Sequence, residues 1–468
     1  MAAVYFLYFF QLTATGLIGP DEPRYASIGR EMARSGDWVT PRLWGHPWFE
    51  KPALLYWMTG AAFRLGLGDD LAPRLPVAAL GALFLPFYYW ALRHEFGRTA
   101  AAYATLILGG SAGWLALSFA SVTDTPLSVF FSAAMLLGMR WFATDEPGWL
   151  TLAGASLGAA VLAKGPLPVA LAIPFAWFAR AKLRAMLRWQ PVAAFVAVAA
   201  PWYWLCYLKN GAEFPRVFLL EHNLGRFFSP ALQHEQPIWF YLPVILAAVF
   251  PWTPTIALLF RRSLYSESRR KFLLLWVCFG LVLLSLSVNK LHGYILPLLP
   301  AIAALMGIAL AETRRAHVVL SISAALLCLV FPIAAVLPRA LDVGLSRADP
   351  TVWRFWWAAP VALAAAVWYL ELRRRTAAVA LVATGLTVAV IYLKLAAFPA
   401  IEANASARSL WRKVAADRDR VCVYEIHRNW RYGLNYYSVD PLPDCTQNPR
   451  PLRISQKESI PDVSPYMR

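Results

Sequence analysis

Thirteen apolar runs follow one another along almost the whole chain, most of them long enough to cross a bilayer. They fall at residues 2–18, 74–93, 99–119, 123–143, 149–163, 166–180, 190–208, 237–260, 272–288, 292–311, 317–337, 353–371 and 376–396. A bilayer core takes about 20 mostly apolar residues per helix. Backbone polar groups in lipid have to be satisfied internally, so repeated runs of this length mean a helical bundle and not a barrel. Composition agrees, since only 15% of the 468 residues are charged, against about 25% in soluble domains. The expected fold is an all-α polytopic membrane protein of about thirteen transmembrane helices, residues 1–397, followed by a small soluble α+β domain at 398–468.

The first run is short and has no basic flank before it, so it reads as part of a longer helix. A cleaved signal peptide is the rival, supported by neither a basic n-region nor an Ala-x-Ala site. Runs 149–163 and 166–180 are separated only by Lys164 and Gly165. With the N-terminus in the cytoplasm, the inner connections collect Arg93, Arg98, Arg140, Arg180–Arg188, Arg261–Lys271, Arg314–Arg315 and Arg373–Arg375. The short connections on the other side are nearly free of basic residues, which is the positive-inside pattern. A net charge of +17 would suggest nucleic acid in a soluble chain. Here much of the excess faces anionic membrane lipid, no platform for reading bases is present, and nucleic acid is not an expected partner.

This topology puts the loops 19–73 and 209–236 and the tail after 397 outside, which in a Gram-negative cell is the periplasmic face of the inner membrane. In the tail, NASARSLWRKVAADRDRVCVYEI reads as a helix leading into a strand, and NWRYGLNYYSV as a second strand. Cys206, Cys278 and Cys328 fall inside spans as buried apolar residues. Cys422 and Cys445 share the tail, where an oxidising compartment permits a disulfide or two free thiols.

Six polar clusters sit at span ends on the outer face. The first is GPDEPRYASIGREMARSGDW, with Asp21 capping a short helix that has Pro23 in its first turn and an apolar face for the membrane surface. The others are Glu50 and Lys51 in HPWFEKPALLYWM; Asp124 in SVTDTPL; Lys164 in AKGP; Glu221, His222 and Arg226 in FLLEHNLGRFFSP, with His234 and Glu235 following; and Lys290, His292 and Tyr294 in SVNKLHGYILPLLP. Snorkelling alone would place lysines and arginines at both faces without regularly bringing Asp, Glu and His with them.

The ordered motifs DExRYA, FEKPxLxYW, TDxPL, KGP, a His-Asn-x-x-Arg-Phe loop and Lys-Leu-x-x-Tyr-Ile-Leu-Pro, spread over residues 1–310, resemble the GT-C glycosyltransferases of the aminoarabinose transferase and protein mannosyltransferase-like group. Ala53 departs from them, standing where these enzymes usually have a second proline. The resemblance implies a polyprenyl (undecaprenyl) phosphate-sugar donor, an extracytoplasmic lipid or glycan acceptor such as lipid A, and Lys51 as the leading ligand of the carrier phosphate. It also implies Glu50 and His222 as ligands of a divalent metal, Zn or Mg/Mn. The residues alone give only two such ligands, fewer than catalytic zinc commonly takes, and a hydrogen-bonded Glu–His pair accounts for them equally.

Cleaving a glycosyl phosphate leaves negative charge on the carrier, which placed cations stabilise. Lys51, Arg226, Lys290, Lys164 and Arg24 have the right sign, with Tyr25 and Tyr294 as donors, although a snorkelling helix end accounts equally for Lys290. An acceptor hydroxyl calls for a general base: Asp21 first, Asp124 second, with neighbouring Glu22 in the same cluster. A local ion pair within a solvated helix start is the plainer account of Asp21, Glu22 and Arg24. Direct displacement implies inversion. The contrasting expectation, a polyprenyl-linked lipid flippase or transporter, requires charge near the midplane and related halves. The halves do not look alike, and a monomer is expected.

Overall fold

The computed structural model describes residues 2–225, 235–344, 347–456 and 460–465. Helix dominates these residues, and six helices are long and apolar enough to cross a membrane: Gly68–Phe96, Asp124–Thr144, Trp189–Asn210, His292–Glu312, His317–Leu341 and Arg375–Ala405. Two further pairs are bent, by 54° between Arg98–Gly109 and Ala112–Phe119 and by 116° between Tyr241–Ala248 and Thr253–Phe260. Counting each bent pair as one span gives eight among the described residues, not thirteen. The 237–260 run doubles back at Pro251. The 166–180 run breaks into Leu167–Leu171 and Ile173–Phe178, with Pro168 and Pro174 inside it. Pro147–Lys164 and Ser268–Leu286, 18 and 19 residues long, are helical where spans were expected. The chain is a multi-pass membrane protein.

The opening run departs most from expectation. Helix stops at Phe9, and Gln11 adopts φ +58°. The end of this helix and the non-helical backbone after it leave carbonyls that need donors, and three cations from distant parts of the chain supply them. Lys394 donates to Phe6, Leu7 and Phe10 O at 2.9–3.1 Å. Arg74 donates to Leu12, Thr15 and Gly16 O at 2.6–3.1 Å. Arg408 donates to Thr13 and Ala14 O at 3.0 and 2.9 Å.

Two external helices follow, Asp21–Ser35 and Leu54–Arg64. Pro20, not Asp21, is the N-cap of the first. The face expected to lie on the membrane surface packs on protein instead, with Ala26 and Ile28 fully buried. The helices cross where a Cβ on Gly29 would lie 2.0 Å from Thr59 Oγ1, so only glycine fits there.

After Ser406 come the helix Ala407–Val414, the strand Val421–Tyr424, the helix Arg428–Tyr437 and the strands Leu452–Ser455 and Asp462–Pro465. The first and second strands pair in parallel, the second and third antiparallel. The helix-to-strand reading holds. The expected second strand, NWRYGLNYYSV, is a helix capped by His427, because Trp430 and Leu434 repeat at helical spacing toward the small core. Cys422 and Cys445 are disulfide-bonded.

Candidate active site

The Asp21–Ser35 helix and the loop before Leu54 bring the first polar group together. Arg24 Nη2 lies 2.5 Å from Asp21 Oδ1 and 3.1 Å from Glu50 Oε2. Lys51 Nζ lies 3.5 Å from Glu50 Oε1, and Trp48 Nε1 donates to Glu50 Oε2 at 3.3 Å. Glu50 is almost fully buried, whereas the Asp21 side chain is 46% exposed and open to a substrate. Burial opposes the charge on Arg24, but the negative charges of Glu50 and Asp21 outweigh it and hold the guanidinium above its ordinary pKa. Burial, followed by the negative charges of Glu50 and Asp21, pushes the Tyr25 hydroxyl well above its usual range, so it remains a protonated donor.

Asp124 opens the Asp124–Thr144 helix, and Lys164 ends Pro147–Lys164. Lys164 Nζ donates to Asp124 Oδ1 at 2.7 Å and stands 4.4 Å from the centre of the Tyr294 ring. Both charges are largely buried, at 10% and 15% side-chain exposure, and each compensates the other. Gly293 makes room for them, since a Cβ there would come within 3.0 Å of Asp124 Oδ1.

The two groups share one end of the bundle. Glu22, next to Asp21, accepts from Ser121 N at 2.8 Å, three residues before Asp124. Phe49, next to Glu50, shares an apolar cluster with Leu162, two residues before Lys164. Glu22 itself is enclosed: Arg74 Nε and Nη2 donate to it at 3.1 and 2.8 Å, and Ile18 N at 3.0 Å. Arg74, the first residue of the 74–93 run, is not among the residues that the sequence singles out. An arginine at the outer end of the apolar Gly68–Phe96 helix, away from the basic residues at its other end, was the signal that could have found it.

Lys290 is also committed, donating to Ser287 O at 2.6 Å and Gln236 O at 2.9 Å beyond a helix end. His222 lies on the π-helix Arg216–Leu224, one turn beyond Phe218 of the cluster that holds Phe49. Arg226 and His234 lie outside the described residues. Among the described residues no three His, Cys, Asp or Glu gather as a metal site. The Glu50 carboxylate already faces Arg24 and Lys51, two cations that oppose a divalent ion there. Among the described residues the donor set does not fit the implied metal, and no step is derived through one.

At the opposite end, Glu95 is clasped by Arg140 at 3.1 Å and Arg269 at 2.8 Å, and Arg270 pairs with Glu312. Fold and site together define a multi-pass membrane protein with a mouth of carboxylates and cations at one bundle end.

Residues 1–212 match the family model described as dolichyl-phosphate-mannose-protein mannosyltransferase. An undecaprenyl phosphate-α-4-amino-4-deoxy-L-arabinose arabinosyl transferase of Pseudomonas fluorescens is 33% identical over 325 residues, covering 66% of this chain and 55% of that protein. The corresponding transferase of Serratia proteamaculans is 33% identical over 322 residues, covering 65% and 58%. The chain thus spans little more than half the length of these curated relatives. The crystal structure of ArnT from Cupriavidus metallidurans bound to undecaprenyl phosphate has the same fold, with TM-score 0.80 at 24% identity over 98% of this chain and 85% of that one. Arabinosyltransferase EmbB of Mycobacterium smegmatis is more distant, with TM-score 0.52 and 15% identity, over 93% of this chain and 42% of that one. The chain is thus similar in sequence to polyprenyl-phosphate-sugar glycosyltransferases and shares the fold of the Cupriavidus transferase.

Proposed function

We propose that the chain is an integral-membrane glycosyltransferase that moves a sugar from undecaprenyl phosphate to an extracytoplasmic acceptor, lipid A or another envelope glycan, with inversion. The observation that carries this is an exposed carboxylate, Asp21, set beside buried cations at the mouth where Asp124, Lys164 and Tyr294 also meet. The relatives' activity, and the carrier bound in the Cupriavidus structure, support the donor class.

In the reaction the acceptor oxygen attacks the anomeric carbon, the carbon–oxygen bond to phosphate breaks, and undecaprenyl phosphate leaves with the bonding pair. Lys51 and Lys164 supply positive charge for the leaving phosphate. For a hydroxyl acceptor, Asp21 takes its proton, with Arg24 fixing the carboxylate. For a phosphate acceptor, already ionised, Asp21 instead positions the sugar. Glu22 serves as scaffold. Asp124 holds Lys164, and Lys290 braces a helix end.

A cavity of about 900 Å3 opens beside Gly19, two residues from Asp21. Arg339, Arg347 and His427 line it together with Ile18, Leu341 and Trp430. Cations beside apolar walls suit an amphiphilic acceptor with an anionic head. We assign residues 1–397 to the catalytic membrane unit and 398–468 to an external appendage, with the mouth on the periplasmic side of the inner membrane. The arginine-rich opposite end supports that orientation.

The flippase reading is disfavoured because two charges within spans, Arg74 and Lys394, are held by backbone carbonyls and, for Arg74, by Glu22, and do not line a path. Purified protein is incubated with labelled undecaprenyl-phosphate sugar and extracted envelope lipids. Transfer without a gradient is expected, and movement of intact carrier without transfer refutes the proposal. Asp21→Asn should lower transfer to a hydroxyl acceptor by at least about 100-fold while leaving the protein folded; near-normal activity removes Asp21 from the base role.

A further inference from the structure

The appendage reaches the reaction centre through one ring. The helix Arg428–Tyr437 lies against the helix Asp21–Ser35, and its tyrosines make contacts of two kinds. Tyr436 and Tyr437 dock it. The Tyr436 carbonyl accepts from Arg30 Nη2 at 2.6 Å, and its hydroxyl donates to Asp69 O at 2.5 Å. The Tyr437 hydroxyl donates to Asp70 Oδ1 and accepts from Leu17 N, both at 2.8 Å. Arg408 adds an ion pair to Asp70 at 2.6 Å.

Tyr432, one turn before Tyr436, makes a different contact. Its ring stacks on Trp44 at 5.5 Å and 22°, and the Arg24 guanidinium carbon lies 5.6 Å from its centre. The rings of Tyr25 and Trp48 stand 5.2 and 5.7 Å from the same carbon. Arg24 is therefore boxed by three aromatic rings, two from the first external loop and one from residue 432, more than 400 positions away in the chain. Its Nε is buried with no hydrogen-bond partner among the described residues, so ring faces take the place of an acceptor on that side. Its Nη2 meanwhile spans Asp21 and Glu50.

We infer that Tyr432 is a positioning residue, closing the aromatic box so that Arg24 holds Asp21 and Glu50 in reacting geometry. The appendage is then part of the catalytic apparatus. The inference rests on the transferase reading for its kinetic consequence, but its structural content does not. A displacement of about 1 Å at a reacting group can cost roughly 100-fold in rate. Removing one wall of three leaves part of the constraint.

The test compares Tyr432→Leu, Tyr432→Phe and Tyr437→Phe with the wild-type full chain, using labelled undecaprenyl-phosphate sugar as donor. Tyr432→Leu should lower kcat roughly tenfold or more, with the donor KM within about twofold. Tyr432→Phe keeps the ring and should retain wild-type kcat. Tyr437→Phe loses docking hydrogen bonds away from Arg24 and should leave kcat near wild type. Unchanged kcat in Tyr432→Leu overturns the proposal, and so does an equal loss in Tyr437→Phe, which would make the effect one of docking alone. A solved structure of Tyr432→Leu decides the matter even if the wild type proves not to be a transferase. Arg24 displaced from Asp21 or Glu50 supports the box, and Arg24 unmoved overturns it.

Discussion

Replacing Glu22 and Arg74 together by leucine separates charge pairing from backbone satisfaction. Breaking a buried pair by changing one partner, as in Glu22→Gln, strands a charge and costs about 3–5 kcal/mol. In some proteins a full apolar replacement recovers that loss. Here it should not. Glu22 accepts from Ile18 N and Ser121 N, and Arg74 donates to Leu12, Thr15 and Gly16 O, so the double variant orphans five backbone groups. At about 1 kcal/mol or more for each, the loss is on the order of 5 kcal/mol, no better than the single variant. The pair is 0% and 6% exposed on the Arg and Glu sides, so water cannot take over these bonds. Thermal unfolding in detergent would measure it: both variants should melt well below wild type, by similar amounts. A double variant that melts with wild type would refute the reasoning, and Glu22 and Arg74 would then be an ordinary ion pair.

Two further outcomes follow from the external parts. Cys422→Ser with Cys445→Ser opens a link across 23 residues and should cost roughly 3 kcal/mol; limited proteolysis of the oxidised protein and the variant should show earlier cutting after residue 406, and equal rates would count against it. Burial opposes ionisation of Asp37, but Lys209 and the backbone N–H groups of Thr40 and Val39 hold its carboxyl below the ordinary value. A lowered folded-state pKa means stabilisation that is full above the usual carboxylate pKa of about 4 and is lost as pH falls through the folded value. Melting of wild type and Asp37→Asn should therefore converge as pH falls through the lowered folded-state value, and a constant difference across acid pH would contradict that.

The apolar runs and the polar clusters at their outer ends were legible in the chain because hydropathy and charge are local properties. They sufficed for a helical membrane bundle with carboxylates and cations gathered at one mouth, and Asp21, Arg24, Glu50 and Lys51 do gather there, as do Asp124, Lys164 and Tyr294. The tail helix shows the limit of residue type, since aromatic content suggested a strand where spacing toward a core made a helix. Only tertiary structure could decide that the first run stops being helical at Phe9 and that its carbonyls fall to Arg74, Lys394 and Arg408. It alone assigned Glu22 to a brace and brought Tyr432 over Arg24. Each of these joins residues tens to hundreds of positions apart, and a hydrogen bond or ring contact of a few ångströms leaves no periodic trace in the sequence around either partner.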